Sequence, residues 1–113
     1  MEQITSPQNT KVKQANKLKK KKERDKTGLL LVEGTHLIEE AVQSQLSVKQ
    51  LFVVEPERFD AQLIEAAEEA FHINFKVAEN LSGTVTPQGI FAVIEKPEVA
   101  SRIAEAKQVL LLD

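Results

Sequence analysis

Leu29-Leu30-Leu31-Val32-Glu33-Gly34-Thr35-His36-Leu37-Ile38-Glu39-Glu40-Ala41-Val42-Gln43 changes its period at one glycine. Before Gly34, four consecutive apolar residues read as a strand covered on both faces, as in the middle of a sheet. After it, Leu37, Ile38, Ala41 and Val42 recur at helical spacing, so Thr35–Gln43 reads as a helix with one inward face. Strand, tight glycine turn and helix together form the unit from which α/β folds are built.

The same alternation continues toward the C-terminus. Val48 to Val54 reads as a second strand, closed by Pro56. Asp60 suits a helix N-cap, with a helix from Ala61 to about Ala70 that turns Leu63, Ile64 and Ala67 inward. Ile73 to Val77 reads as a third strand and Ala78 to Leu81 as a short helix or turn. Thr86-Pro87-Gln88-Gly89 is a turn that leads into a fourth strand, Ile90 to Ile94. The expected fold class is α/β: a sandwich around a central, largely parallel or mixed sheet of about four strands.

On the N-terminal side, Ser6-Pro7 reads as N-cap and first helical residue of a basic helix over 7–23. Val12, Ala15 and Leu18 share one narrow face; Lys11, Lys13, Lys17, Lys20 and Lys21 fall largely around the rest. Thr27-Gly28 ends it. Up to Lys26 there are nine basic and three acidic residues; from Thr27 onward there are six basic and fourteen acidic ones. The formal charge of −2 therefore hides a dipolar chain, and the natural partner of its basic end is a polyanion.

Lysines packed this closely repel one another, and a polyanion relieves the repulsion while releasing counterions. Lys13, Lys17, Lys20 and Lys21 serve as point charges for phosphate, and Arg24 can hold one with a two-pronged fork. A solvated, solubilising helix face is the plainer alternative. Glu33-Gly34 directly follows a strand, so Glu33 can accept from backbone amides or from Arg24, in a structural or a positioning role. In 86–89, Gln88 and the Gly89 backbone offer exposed donors that either contact a ligand or aim the next strand.

Composition removes several kinds of chemistry. With no cysteine there is no disulfide, thiolate nucleophile or Cys-ligated metal, and His36 and His72 alone make no metal site. Neither a Ser–His–Asp order, an HExxH motif nor a glycine-rich nucleotide loop occurs, so no catalytic residue is assigned. His36 reads as a neutral residue near a helix start and His72 as an exposed residue after a helix. The five phenylalanines are scattered through apolar stretches, mostly as core residues, and do not form a stacking stripe. No run approaches the ~18 apolar residues of a membrane span, so no membrane partner is expected. The N-terminus has no apolar leader, and the expected location is cytoplasmic.

Val109 to Leu112 is an apolar run ending at Asp113. It reads either as a last strand of this domain or, the preferred reading, as the first strand of a second domain. Residues 96–107 are then a linker, and 108–113 open that second domain.

The succession Ser6, Asn9, Lys13, Leu18, Arg24, Gly28, then Leu30-Leu31-Val32-Glu33-Gly34, resembles the start of the TrmH/SpoU group of RNA 2′-O-ribose methyltransferases. Thr86-Pro87-Gln88-Gly89-Ile90-Phe91-Ala92-Val93 resembles the end of their N-terminal substrate-binding domain, with Thr86 where members often have Ser. The resemblance implies an L30e-like three-layer α/β/α sandwich over 1–95 that engages ribosomal or transfer RNA. It adds Asn9 to the contact candidates, makes Asn9, Gln88 and the Gly89 backbone the groups expected to hydrogen-bond to a sugar or a base edge, and marks Arg24, Glu33 and Gly34 as positions of interest. It implies that 108–113 opens a knotted C-terminal SPOUT methyltransferase domain that holds S-adenosylmethionine and forms a homodimer. The cofactor belongs to that intact protein, with none bound by this chain alone. Two rivals share the sequence: a free-standing L30e-like RNA-binding protein without catalytic activity, and a protein-interaction module whose acidic body docks on a basic partner.

Overall fold

The computed structural model describes residues 1–96. The chain runs β1 (Glu2–Ile4), α1 (Thr10–Lys17), α2 (Lys21–Thr27), β2 (Leu29–Glu33), α3 (Thr35–Gln43), β3 (Val48–Val53) and a 3-10 turn (Pro56–Arg58). It continues with α4 (Ala61–Glu65), β4 (Ala67–Ile73), α5 (Phe75–Ser82) and β5 (Ile90–Glu95). One five-stranded sheet has the order β1-β4-β3-β5-β2. β1 and β3 pair parallel with β4, whereas β5 pairs antiparallel with both β3 and β2, so the sheet is mixed.

Strand alternation sorts the core into two layers. In β5, Phe91 and Val93 face one side with Val12 and Ala15 of α1, Leu18 just after it, and Val77, Ala78 and Leu81 of α5. Ile90, Ala92 and Ile94 face the other side with Ile38, Ala41 and Leu63 of α3 and α4. Phe52 and Phe71 stack in the first layer with ring centroids 5.4 Å apart. Helices cover both faces, as the α/β/α reading requires, and no polar side chain is buried among the described residues.

Several expectations change. The helix expected over 7–23 is two helices, because the chain turns at Leu18–Lys20. Backbone bonds there tighten to the third residue back (Leu18 to Ala15, Lys19 to Asn16, Lys20 to Lys17), and Leu18 plugs the core at the corner. A straight helix would stack Lys13, Lys17, Lys20 and Lys21 along one flank, which costs stability. Asn9, not Ser6, is the N-cap: its Oδ1 accepts from the Lys11 amide at 2.8 Å.

The leucine run of β2 lies at the sheet edge, not its centre. Its side chains still alternate between the layers, Leu29 and Leu31 to one and Leu30 and Val32 to the other, which is why all are apolar. The helix expected to reach Ala70 stops at Glu65, and Ala67–Ile73 becomes β4. Pairing on both sides with β1 and β3, together with burial of Phe71 and Ile73, outweighs the helix preference of Ala and Glu. The strand expected at Ile73–Val77 ends at Ile73, because Asn74 caps α5 by accepting from the Val77 amide at 2.9 Å. β1 has three residues, too few to leave a periodic signal, and raises the strand count to five. The expected linker (apart from Lys96) and the strand at 108–113 lie outside the described residues.

Candidate nucleic-acid interface

α1 packs with α5 on one face of the sheet, α2 follows it along the same groove, and the two helices carry the basic charge there. Among the described residues, Lys13, Lys17, Lys20, Lys22 and Lys26 are exposed and form no ion pair. Lys11 pairs with Glu69 at 3.2 Å, and Lys21 pairs with Asp25 at 3.3 Å within α2. Of the expected phosphate contacts, Lys13, Lys17 and Lys20 are therefore unencumbered, while Lys21 is shared with a carboxylate.

Arg24, expected at phosphate, also has a task within the domain. Its Nη1 donates to Leu18 O at 3.1 Å and to Lys19 O at 2.9 Å, which closes the α1–α2 turn. The guanidinium thus satisfies carbonyls that the break in the helix leaves open. Both bonds use one nitrogen, so the rest of the fork stays available. Asn9 is likewise committed through Oδ1 to its cap, and its Nδ2 is the group left to reach a ligand.

A second cluster forms where β2 ends and β5 begins. The Glu33 carboxylate accepts from Ser82 Oγ at 3.0 and 3.1 Å and from the Gln88 amide at 2.8 Å. Of the two partners expected for Glu33, the backbone amide is therefore realised, and Arg24 is not its partner. Ser82 Oγ also lies 2.9 Å from Thr84 Oγ1. Gly34 takes φ +105°, and a Cβ there would meet Gln88 Oε1 at 2.5 Å. The glycine thus permits the Gln88 side chain to lie directly over the start of α3. Gly89, at φ +86°, gives its carbonyl to the Val54 amide at 3.0 Å and fixes the far end of the loop.

The two clusters meet at the C-terminus of α5. Lys19 Nζ donates to Asn80 O at 3.4 Å and lies 4.0 Å from where a Gly83 Cβ would stand. Asn16 Nδ2 donates to Asn80 Oδ1 at 2.6 Å. The lysine-rich turn and the 83–89 loop are therefore neighbours on one surface. Sequence reasoning missed Lys19, Asn80 and Ser82, because their roles depend on the α1–α5 contact. The sequence signals Lys19 only through the run of four consecutive lysines at 19–22.

Elsewhere the surface is less suited to phosphate. A groove of about 440 Å³ runs between α1–α2 and the sheet, with Leu18, Leu29 and Val93 in its lining, and there Glu23, Glu68 and Glu69 outnumber Lys17 and Lys49. A hydrogen bond from Gln50, then the ion pair with Lys11, holds the Glu69 carboxyl below the usual carboxylate range. Lys49 is pushed up by hydrogen bonds to Glu95 and then Glu68, with added attraction from both carboxylates. These charges already neutralise one another.

The remaining candidates behave as structural residues. His36 Nε2 pairs with Glu40 at 3.1 Å on exposed α3. His72, expected in the open, is half-buried in β4 and donates from Nε2 to Val54 O at 2.9 Å. Phe52, Phe71 and Phe91 are core residues, Phe59 is partly buried and Phe75 is exposed. Among the described residues there is no group of three metal-ligating side chains and no helix long and apolar enough to cross a membrane.

Comparison with known proteins gives a consistent result. Residues 9–92 match the family model of the MRM3-like substrate binding domain. The chain is 41% identical over 113 residues to the Bacillus subtilis 23S rRNA (guanosine(2553)-2′-O)-methyltransferase RlmP, matching all of this chain and 44% of that protein. It is 32% identical over 90 residues to the Danio rerio mitochondrial rRNA methyltransferase 3A, covering 78% of this chain and 20% of the relative. A crystal structure of an RNA 2′-O ribose methyltransferase superposes with a TM-score of 0.72 at 30% identity, covering 85% of this chain and 38% of that one. An AdoMet-bound rRNA methyltransferase from Sinorhizobium meliloti superposes at 0.71 with 27% identity, covering 85% and 37%. The chain spans less than half the length of the relatives it matches.

Proposed function

Because the chain belongs to the MRM3-like substrate binding domain family, the N-terminal substrate-binding domain of TrmH/SpoU RNA 2′-O-ribose methyltransferases, we propose that it holds ribosomal RNA for a methyltransferase. The observation that carries this is the row of unpaired lysines on α1 and α2 beside the pinned 83–89 loop, on a domain whose relatives modify rRNA. Lysines at positions 13, 17 and 20 supply charge without base preference. The domain contributes binding energy and placement. A displacement at a ribose oxygen depends steeply on such placement.

In the whole protein, the methyl donor is S-adenosylmethionine, in line with the AdoMet-bound relative. No described residue of this chain is assigned to that group, and we place its site and the homodimer contacts outside this domain. Ribosomal RNA is preferred to transfer RNA, since both curated relatives are named for rRNA. A free-standing RNA-binding protein without catalysis has no counterpart among these relatives, which are methyltransferases.

The test is a titration of this chain against a ribosomal RNA hairpin over a salt series. Affinity should fall steeply as salt rises, with a slope set by the number of phosphates neutralised. Weak, salt-independent binding would end the RNA reading and favour the acidic body as the working surface.

A further inference from the structure

The Glu33 cluster brings negative charge to an RNA-facing surface, so it is not there to attract phosphate. Its carboxylate is occupied by Ser82 and by the Gln88 backbone N–H, which leaves the Gln88 side-chain amide unbonded to it. The loop is fixed again at Gly89 through Val54. What the clamp presents outward is different in kind from the lysine turn. Thr84, Thr86 and Gln88 are exposed, and Val85 is 79% exposed at the loop tip. Leu37, in the first turn of α3 beyond Gly34, is 49% exposed. Two of the four exposed large apolar side chains among the described residues thus belong to the segments that carry Gln88 and Gly34.

A side-chain amide both donates and accepts, and apolar side chains offer a face to a ring or ribose. That is the chemistry of a nucleobase edge, whereas phosphate asks for cations. We infer that 83–89 is the sequence-reading element of this domain, with Gln88 reading a base edge and Glu33 as the positioning residue that holds it. The lysine turn at Lys17–Lys20 supplies sequence-independent affinity beside it. This rests on the RNA reading above and assigns to its two clusters separate tasks: charge for affinity, the clamp for choice. Gly34 belongs to the same device, since any side chain there displaces the Gln88 amide.

The experiment uses the full chain and a synthetic RNA hairpin that displays the Bacillus subtilis 23S rRNA sequence around guanosine 2553 in its loop, with versions in which each loop base is replaced in turn. The wild-type chain should prefer the native hairpin over at least one version by roughly tenfold, the scale of one good amide–base pair. Gln88→Ala and Glu33→Gln should bring that ratio toward one while leaving the salt slope unchanged. Lys13→Glu combined with Lys17→Glu and Lys20→Glu should weaken every hairpin alike, lower the slope and keep the ratio. If Glu33→Gln fails to fold, Gln88→Ala decides alone, because the Gln88 side chain is exposed. A wild-type chain that binds with a salt slope but prefers no base overturns the inference and leaves the RNA reading standing. So does a Gln88→Ala chain that keeps the full ratio. Absence of any salt-dependent binding ends the RNA reading and this inference with it.

Discussion

Glu33 and Gln88 lie 55 residues apart in the chain and meet through a 2.8 Å hydrogen bond from the Gln88 backbone N–H to the Glu33 carboxylate. The bond ties the end of β2 to the loop that feeds β5, and these are neighbouring strands. The junction is therefore tied twice, once through the strand ladder and once through the carboxylate.

Gly34 should be the costliest glycine to replace. Gly34→Ala combines a positive φ with a Cβ 2.5 Å from Gln88 Oε1, whereas Gly28, at φ +72°, has nothing within 4 Å of its Cβ position. Gly28→Ala should cost about 1–2 kcal/mol, the left-handed penalty alone. Gly34→Ala should cost more, about 2–3 kcal/mol, the strain of a glycine-type φ plus a displaced side chain. Urea denaturation midpoints of the two variants give the order directly; equal midpoints would contradict the close contact.

Arg24→Ala should act on folding before it acts on RNA. It removes two charge-assisted bonds to Leu18 O and Lys19 O. The side chain is half exposed, so a loss of about 1–2 kcal/mol is expected. Arg24→Lys should recover little, because one flexible ammonium does not reproduce the planar fork. Thermal melts and helical circular dichroism read this. A variant with unchanged stability and lost RNA affinity would instead assign Arg24 to phosphate.

Charge reversal of Lys13, Lys17 or Lys20, one at a time, should lower the salt slope by about 0.7–0.9 for each phosphate no longer neutralised. Lys11→Ala should change the slope little, since that lysine is paired with Glu69 at 3.2 Å. Equal effects from Lys11 and Lys17 would show that the paired and unpaired lysines are not distinguished by RNA.

Stability should respond to acid through Glu69. Its folded pKa lies below the ordinary value of 4.5, through Gln50 first and Lys11 next. The contribution is thus present at neutral pH and is lost as pH falls through that lowered value. Gln50→Ala should shrink the acid-side loss more than Lys11→Ala. Lys49 works in the opposite sense: its pKa is raised above 10.5, so its contribution is full below 10.5 and lost as pH rises through the raised value. Both groups are exposed and the effects are small. Urea midpoints measured across pH resolve them.

The helix at Thr35–Gln43 and the strand beginning at Ile90 could be read directly from sequence, because each has a full apolar period and a glycine before it. The stretch from Ala67 to Val77 could not. Ala67-Glu68-Glu69-Ala70 has helical composition, and only parallel pairing with Val48–Val53, distant in sequence, makes it a strand. The lysine cluster was visible as charge, but its division into paired and unpaired members depends on Glu69 and Asp25. Glu33 and Gln88 each stand out in the sequence; nothing in their local surroundings announces that they touch.

Asn80 receives bonds from Asn16 and Lys19, and Ser82, two residues on, holds Glu33. α5 therefore acts as a caliper. Its buried Val77, Ala78 and Leu81 set the body of the tool, and its last turn carries a jaw on each side. The spacing between the charged jaw and the amide jaw is then a fixed length of the protein. With the lysine turn on the backbone and Gln88 on a base, as inferred above, an RNA would be gauged by whether the two stand that far apart.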